Sequence, residues 1–174
     1  MSLNLRLLFK INSLVGRNRW LDWFGLIGAR WVIVFAVIYY IFIVYSDFGT
    51  WGVRPIICAF TLLIWVAGWL VSLLLGAALR RPRPFITHPE LTKLFQPLTI
   101  WKSFPSDHAF TVWLLVFLSG AFRLEGAWFL LPLALWISWG RVYTAVHYPG
   151  DIIGGGALAG LAVGVLYGVG YFYR

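Results

Sequence analysis

Residues 55–79 read PIICAFTLLIWVAGWLVSLLLGAAL, with no charged side chain from Pro55 to Leu79. As an α-helix rising about 1.5 Å per residue, this stretch can cross a hydrocarbon core of about 30 Å with some tilt. One such segment places a chain in lipid, and its neighbours extend the reading. Ile152 to Tyr173 is again uncharged, and Trp23 to Tyr45 is interrupted only by Arg30, whose long side chain can snorkel to a boundary. Two shorter apolar runs are Ala109 to Phe122 and Gly126 to Gly140. The first lengthens into a span if Ser106 caps it early, the second if it continues through Arg141 to Val146 with its polar groups turned toward protein.

The expected fold is therefore all-α, a polytopic membrane helix bundle of about five transmembrane helices forming one domain over residues 1–174, with residues 3–20 lying along the interface. Composition agrees. Hydrophobic residues make up 61% of the chain and charged ones only 11%, which disfavours a soluble fold, where about 45–50% apolar is usual. The 11 Trp and 8 Tyr suit side chains that meet the headgroup boundary. The net charge of +8 does not point to nucleic acid, because the basic residues are separated by apolar spans and form no stripe. A single cysteine, Cys58, excludes an internal disulfide. The N-terminal pattern lacks the apolar core and small-residue cleavage site of a signal peptide, so insertion is expected from retained helices. Gly156, Gly160, Gly164 and Gly168 recur at every fourth position and are expected to let the last helix approach a neighbour closely.

Alternation of spans brings two polar connections to one membrane side. The connection from Arg80 to Pro105 holds Pro82, Pro84, Pro89, Pro97 and Pro105, which predicts an irregular, stiff loop, and it leads into Ser106, Asp107 and His108. The other connection holds Arg141, His147 and Asp151. Ionisable groups at a membrane boundary are costly and signal function. Zinc is disfavoured, since no HExxH or Cys/His ligand spacing is present and arginine opposes a divalent cation. Arginines beside a helix start instead form an anion site, with bidentate guanidinium donors and free amides at residues 106–108 suited to phosphate oxygens. In His147-x3-Asp151 the carboxylate is spaced to fix the ring tautomer and stabilise the imidazolium, making His147 a candidate nucleophile. His108 is the candidate acid for the leaving oxygen, and Arg83, Arg141 and Ser106 are candidates for stabilising the transferred phosphoryl group. Taken singly, a histidine at a helix end is more often a capping residue; the convergence is what carries weight.

The ordered set Arg83-Pro84, Pro105-Ser106-x-His108 and Arg141-x5-His147-x3-Asp151 resembles the three-part signature of the type 2 phosphatidic acid phosphatase family, whose fold is shared with vanadium haloperoxidases. The resemblance implies a haloperoxidase-like helical core and metal-independent hydrolysis, with His147 as nucleophile, His108 as general acid and Asp151 as the orienting carboxylate. It implies that no metal is required; the expected partners are a lipid phosphate and the bilayer, with no cofactor and no obligatory protein partner inferred. Within the family, the runs at 81–85, 105–108 and 147–151, with Ile11-Asn12 and Leu21-Asp22, look like the bacitracin-resistance branch of bacterial undecaprenyl-diphosphate phosphatases. That branch implies removal of one phosphate from a polyprenyl diphosphate through a phosphohistidine, in cell-wall biogenesis.

Two positions depart from the family pattern. Its first motif is Lys-x6-Arg-Pro, and Gly76 stands where the lysine belongs, leaving Arg80, Arg81 or Lys102 to supply phosphate-binding charge. Its third motif opens Ser-Arg, and Gly140 replaces that serine. Asp107 sits beside the anion site either as a favourable first-turn carboxylate or to orient an arginine. Trp101 and Phe104 are expected to anchor the loop at the interface. Positive charge predominates on the site's side over Arg54, Arg123 and Arg174 opposite, which by itself puts the site in the cytoplasm. The resemblance implies the extracytoplasmic side of the plasma (inner) membrane, and that is the expectation adopted. Alternatives are the same chemistry on phosphatidylglycerol phosphate, phosphatidate or a lipid A phosphate, or a non-enzymatic anionic lipid transporter. The last lacks the paired repeats and broken helices common in transporters.

Overall fold

In a computed structural model, the described residues are 1–47 and 53–172, with the side chains of 167 and 169–172 left aside. They form eight α-helices and no strand: α1 Leu3–Asn12, α2 Arg19–Arg30, α3 Val32–Asp47, α4 Val53–Leu79, α5 Pro84–Thr87, α6 Asp107–Ala121, α7 Leu130–Tyr143 and α8 Pro149–Phe172. A short 3-10 turn, Ala127–Phe129, leads into α7. The end of the last expected span, Tyr173, and Arg174 lie outside the described residues.

The pattern of burial is that of a bundle in lipid. Along α4 the buried residues are Ile57, Thr61, Ile64, Gly68, Ser72 and Gly76, a single stripe at helical spacing. The other faces carry exposed Leu62, Leu63, Leu70 and Leu74. α6 lies at the centre, packed against α3, α4, α7 and α8, with Phe110, Val112 and Leu114 wholly buried. Inside the apolar region polar side chains pair across helices: Tyr40 with Thr61 at 2.7 Å, and Trp65 Nε1 donating to Thr111 Oγ1 at 2.8 Å.

By length and composition, α4 and α8 are each able to cross a membrane, and α2 with α3 pass the same test together. The apolar α6, with 15 residues, rises only about 22 Å and is sheathed by its neighbours. The expected single span from Trp23 to Tyr45 is broken: α2 and α3 meet at Trp31 with a bend of 54°. The bend has a structural use. The Ala29 carbonyl accepts from Arg141 Nη1 at 2.9 Å.

The expectation that residues 3–20 lie along the interface changes form. α1 docks onto α7 and α8, burying Leu8 and Asn12. Asn12 Nδ2 donates to the carbonyls of Tyr143 and Thr92 at 2.8 and 2.9 Å, and Asn4 Oδ1 accepts from the Gly150 amide at 2.8 Å.

The glycine stripe also needs correction. A Cβ on Gly164 or Gly168 would meet nothing within 4 Å, and one on Gly156 or Gly160 would make ordinary contacts with Trp113 and Phe117. The close approach is one residue earlier, at Gly155, whose added Cβ would lie 2.6 Å from the Ser106 carbonyl oxygen and 2.9 Å from the Phe110 amide. The buried row of α8 is Asp151, Gly155, Ala159 and Val163. Packing against α6 selects this row, and it delivers Asp151 to the polar end of the bundle.

Candidate active site

Both polar connections converge at one end of the bundle. Ser106 caps α6, its Oγ accepting from the Ala109 amide at 3.5 Å, so His108 enters in the first turn. The Ser106 amide donates to the Asp151 carbonyl at 3.1 Å, which locks the start of α6 to the start of α8. His147 sits in the tight connection between α7 and α8 and is 3% exposed.

The two sides of the His147 ring face different chemistry. Nε2 lies 3.3 Å from Arg83 Nη1 and 3.2 Å from Arg141 Nη2. A guanidinium only donates, so Nε2 carries the lone pair and the proton is on Nδ1. Nδ1 faces Asp151 Oδ2 at 3.5 Å. Burial pushes the His147 imidazole down to about 4, with Asp151 opposing and Arg141 and Arg83 adding to the push. The ring is thus neutral at pH 7, with an unprotonated Nε2 between two cations. His108, in the first turn of α6, feels Arg141, His147 and Arg83 electrostatically and so lies at the same end of the bundle as His147.

Asp151 is fully buried and held by three groups: Arg81 Nη1 at 2.9 Å on Oδ1, Ser103 Oγ at 2.5 Å and the Tyr148 amide at 2.8 Å, both on Oδ2. The Arg81 guanidinium stacks over the Tyr148 ring at 4.1 Å, and Tyr148 pairs through its hydroxyl with Thr87 Oγ1 at 2.6 Å. Arg83 donates to the Val146 carbonyl at 2.9 Å, while its Nε and that of Arg141 are buried without a protein partner. Such unspent donors beside a lone pair suit the oxygens of a phosphoryl group.

The residues expected to bind phosphate therefore divide. Arg83 and Arg141 face His147. Arg81 is committed to Asp151 on the far side of the ring. Arg80 is exposed and turns back on α4, its Nε donating to the Ala77 carbonyl at 3.2 Å. Ser106 Oγ serves as the helix cap. Lys102 is 3% exposed and donates to Asp107 Oδ1 at 2.7 Å and Ser72 Oγ at 2.8 Å. Ser72 Oγ in turn donates to the same Asp107 oxygen at 2.6 Å. Asp107 thus orients a lysine, a partner that sequence reasoning did not assign to it.

The two departures at glycine have packing causes. A Cβ on Gly76 would lie 2.5 Å from Lys102 Cδ, so Lys102 fills the space that a side chain at 76 needs. A Cβ on Gly140 would lie 2.7 Å from the Ala29 amide nitrogen and 2.9 Å from the Gly25 carbonyl oxygen, leaving no room for serine beside α2. Phe104, expected at the interface, is wedged against Gly154 of α8. The long loop covers the site, with Phe95 beneath the Arg141 guanidinium at 5.8 Å and Arg83 Nη2 reaching Thr99 Oγ1 at 3.5 Å.

Residues 56–173 match the PAP2 superfamily. The chain belongs to it. Among curated relatives, it is 30% identical over 103 residues to the bacitracin transport permease protein BcrC of Bacillus licheniformis, covering 59% of this chain and 50% of that protein. It is 31% identical over 103 residues to the undecaprenyl-diphosphatase BcrC of Bacillus subtilis, covering 59% and 51%, and 38% identical over 93 residues to the putative undecaprenyl-diphosphatase YbjG of Escherichia coli, covering 52% and 45%. The chain spans about half the length of these relatives. Similar solved structures are LpxE of Aquifex aeolicus, with TM-score 0.63 and 22% identity over 93% of each chain, and a transmembrane PAP2-type phosphatidylglycerolphosphate phosphatase of Bacillus subtilis. The latter has TM-score 0.66 and 18% identity, covering 100% of this chain and 89% of that one. The fold is that of transmembrane PAP2 phosphatases.

Sequence reasoning missed four supporting residues. Ser103 and Ser72 lie within or beside apolar stretches, where serine reads as filler. Asn12 and Asp22 belong to the short matches that pointed to the bacitracin-resistance branch, and both hold Tyr143: Asn12 through its carbonyl, Asp22 Oδ1 through its hydroxyl at 2.6 Å. They brace the end of α7 that carries Arg141.

Proposed function

We propose that the protein is a membrane lipid phosphatase that hydrolyses a polyprenyl diphosphate, undecaprenyl diphosphate being the lead case, to the monophosphate. The observation that carries the reaction type is the state of His147, with an Nε2 lone pair between Arg83 and Arg141 and Nδ1 facing Asp151. Nε2 attacks the terminal phosphorus while Arg83 and Arg141 neutralise its equatorial oxygens. The bond to the bridging oxygen breaks, polyprenyl phosphate leaves with the proton given by His108, and a phosphohistidine and a neutral His108 remain. Asp151 stabilises the positive charge on the ring. Water then attacks the phosphohistidine, His108 taking its proton, and inorganic phosphate is released. No step calls for a metal or cofactor. The diphosphate substrate is supported by the names of the curated relatives.

A second reading is the same chemistry on a lipid monoester such as phosphatidylglycerol phosphate, phosphatidate or a lipid A phosphate. One observation favours it: Arg81 and Lys102 are bound to carboxylates, leaving Arg83 and Arg141 as the cations that face His147. A panel of these lipids, assayed for phosphate release in detergent with EDTA, decides between the readings. The proposal expects the diphosphate to be turned over with the highest kcat/KM and His147→Ala to be inactive. Activity retained in that variant removes His147 from its role, and no release from any lipid phosphate favours a transporter. The site is proposed to face the extracytoplasmic side of the plasma membrane. Modification of a cysteine at position 90 by an impermeant reagent in intact cells tests this, and protection overturns it.

A further inference from the structure

At the end of α4 lies an open cavity of about 500 Å³ lined by Leu79, Arg80, Arg81, Pro82 and Phe104, linked to Asp151 through Arg81. Leu79, Pro82 and Phe104 give it apolar walls, and Arg80 and Arg81 are its two basic residues. It opens at the end of α4, where the exposed Leu74, Leu75 and Leu79 lead up to it along the lipid-facing side of the helix. The Phe104 wall is fixed by its contact with Gly154 of α8. Arg81 belongs to this cavity and to the site at once: Nη1 holds Asp151 Oδ1 at 2.9 Å, while the side chain is 35% exposed. The Arg80 guanidinium beside it bonds only to the Ala77 carbonyl among the contacts described, and no carboxylate lines the cavity. Two neighbouring cations at a membrane boundary, walled by apolar side chains, are complementary to a phosphate carried on acyl chains.

We propose that this cavity binds the headgroup phosphate of an anionic membrane lipid that is not the substrate, and that its occupancy holds Arg81 on Asp151. The phosphate takes Arg80 and the free edge of the Arg81 guanidinium, with the acyl chains running down the outer face of α4. It pairs with the charge of Arg80 and orders a one-third-exposed Arg81 side chain that also fixes the carboxylate behind His147. The site lies on the Nδ1 side of His147, away from the phosphoryl pocket on Nε2, so the lipid acts through position and takes no part in the reaction. The kinetic consequence rests on the proposed phosphatase activity; the binding does not.

The test uses the full chain in neutral mixed micelles of detergent and phosphatidylcholine, titrated with phosphatidylglycerol. Native mass spectrometry counts retained lipid, and phosphate release gives kcat and KM. The expected result is one retained phosphatidylglycerol and a saturable rise in kcat of roughly fivefold, the low end of couplings between sites, with KM unchanged. Arg80→Gln should abolish both the retention and the rise while keeping the rate in phosphatidylcholine. Equal retention by wild type and Arg80→Gln overturns the site. A rise in KM at constant kcat overturns it too, because the groove would then serve the substrate's own chain. Inorganic phosphate or glycerol phosphate reproducing the rise refutes the lipid as occupant. Retention that depends on Arg80 in a protein without turnover would sink the phosphatase reading and leave the lipid site standing.

Discussion

Arg141 joins His147 to a break in a membrane helix: Nη2 donates to His147 Nε2 at 3.2 Å and Nη1 to the Ala29 carbonyl at 2.9 Å. The guanidinium is thereby held by backbone from a different helix, and its distance to the His147 ring is set by how α2 ends. Since it can only donate, it also fixes which ring nitrogen is bare.

That arrangement sets a pH dependence. Burial and the two arginines keep His147 neutral down to about 4, against about 6.5 for a free imidazole. The folded protein binds this proton more weakly than the unfolded chain, so the group's contribution to stability is complete above about 6.5 and is lost as pH falls from there through about 4. The acid limb of kcat/KM assigned to His147 should fall near 4. Arg141→Gln should move that limb toward neutrality while lowering activity. A wild-type limb at 6.5 would contradict the described environment.

Arg81 and Ser103 position Asp151 without facing the phosphoryl pocket. Hydrogen bonds to charged groups are worth about 1.5–3 kcal/mol, so Arg81→Gln and Ser103→Ala should each lower kcat by about tenfold or more. KM should change little, and the double variant should lose less than the product of the two effects. Steady-state kinetics on the preferred lipid checks this; a change confined to KM would make Arg81 a substrate ligand.

Gly155→Ala and Gly140→Ser each push a side chain into neighbouring backbone and should destabilise by about 1–3 kcal/mol. Gly164→Ala meets open space within a helix and should be neutral or stabilising by up to about 1 kcal/mol. Thermal unfolding in one detergent ranks the three.

Lys102→Met strands the Asp107 carboxylate beside Ser72 and should cost about 1–3 kcal/mol, reduced by the partial exposure of Asp107. Lys102→Met with Asp107→Asn should recover part of that loss in the same unfolding measurement. Gly76→Lys should be tolerated only when Lys102 is shortened, for instance by Lys102→Ala; tolerance of Gly76→Lys alone would show that the two side chains do not compete for one space.

The helical segments were legible because lipid imposes long uncharged runs, and the candidate site because charge beside such runs is costly. Alternation of spans was enough to bring His108 and His147 to one end. What remained hidden depends on tertiary contact. The bend at Trp31 follows from the pairing of α2 with α7 and of Ala29 with Arg141, and no proline or charge run marks it. The tight row of α8 begins at Asp151 because α6 approaches there; the spacing of Gly156 and its repeats looks the same from sequence alone. Counting arginines could not separate Arg83, which faces the imidazole, from Arg81, two residues earlier, which faces the carboxylate.

The docking of α1 has a practical corollary. Asn4 accepts from the Gly150 amide beside the His147 loop, so a reporter fused ahead of α1 travels to whichever compartment that loop inhabits. A single fusion, such as a fluorophore that matures in only one compartment, therefore reads the orientation of the chemistry without altering any residue that performs it.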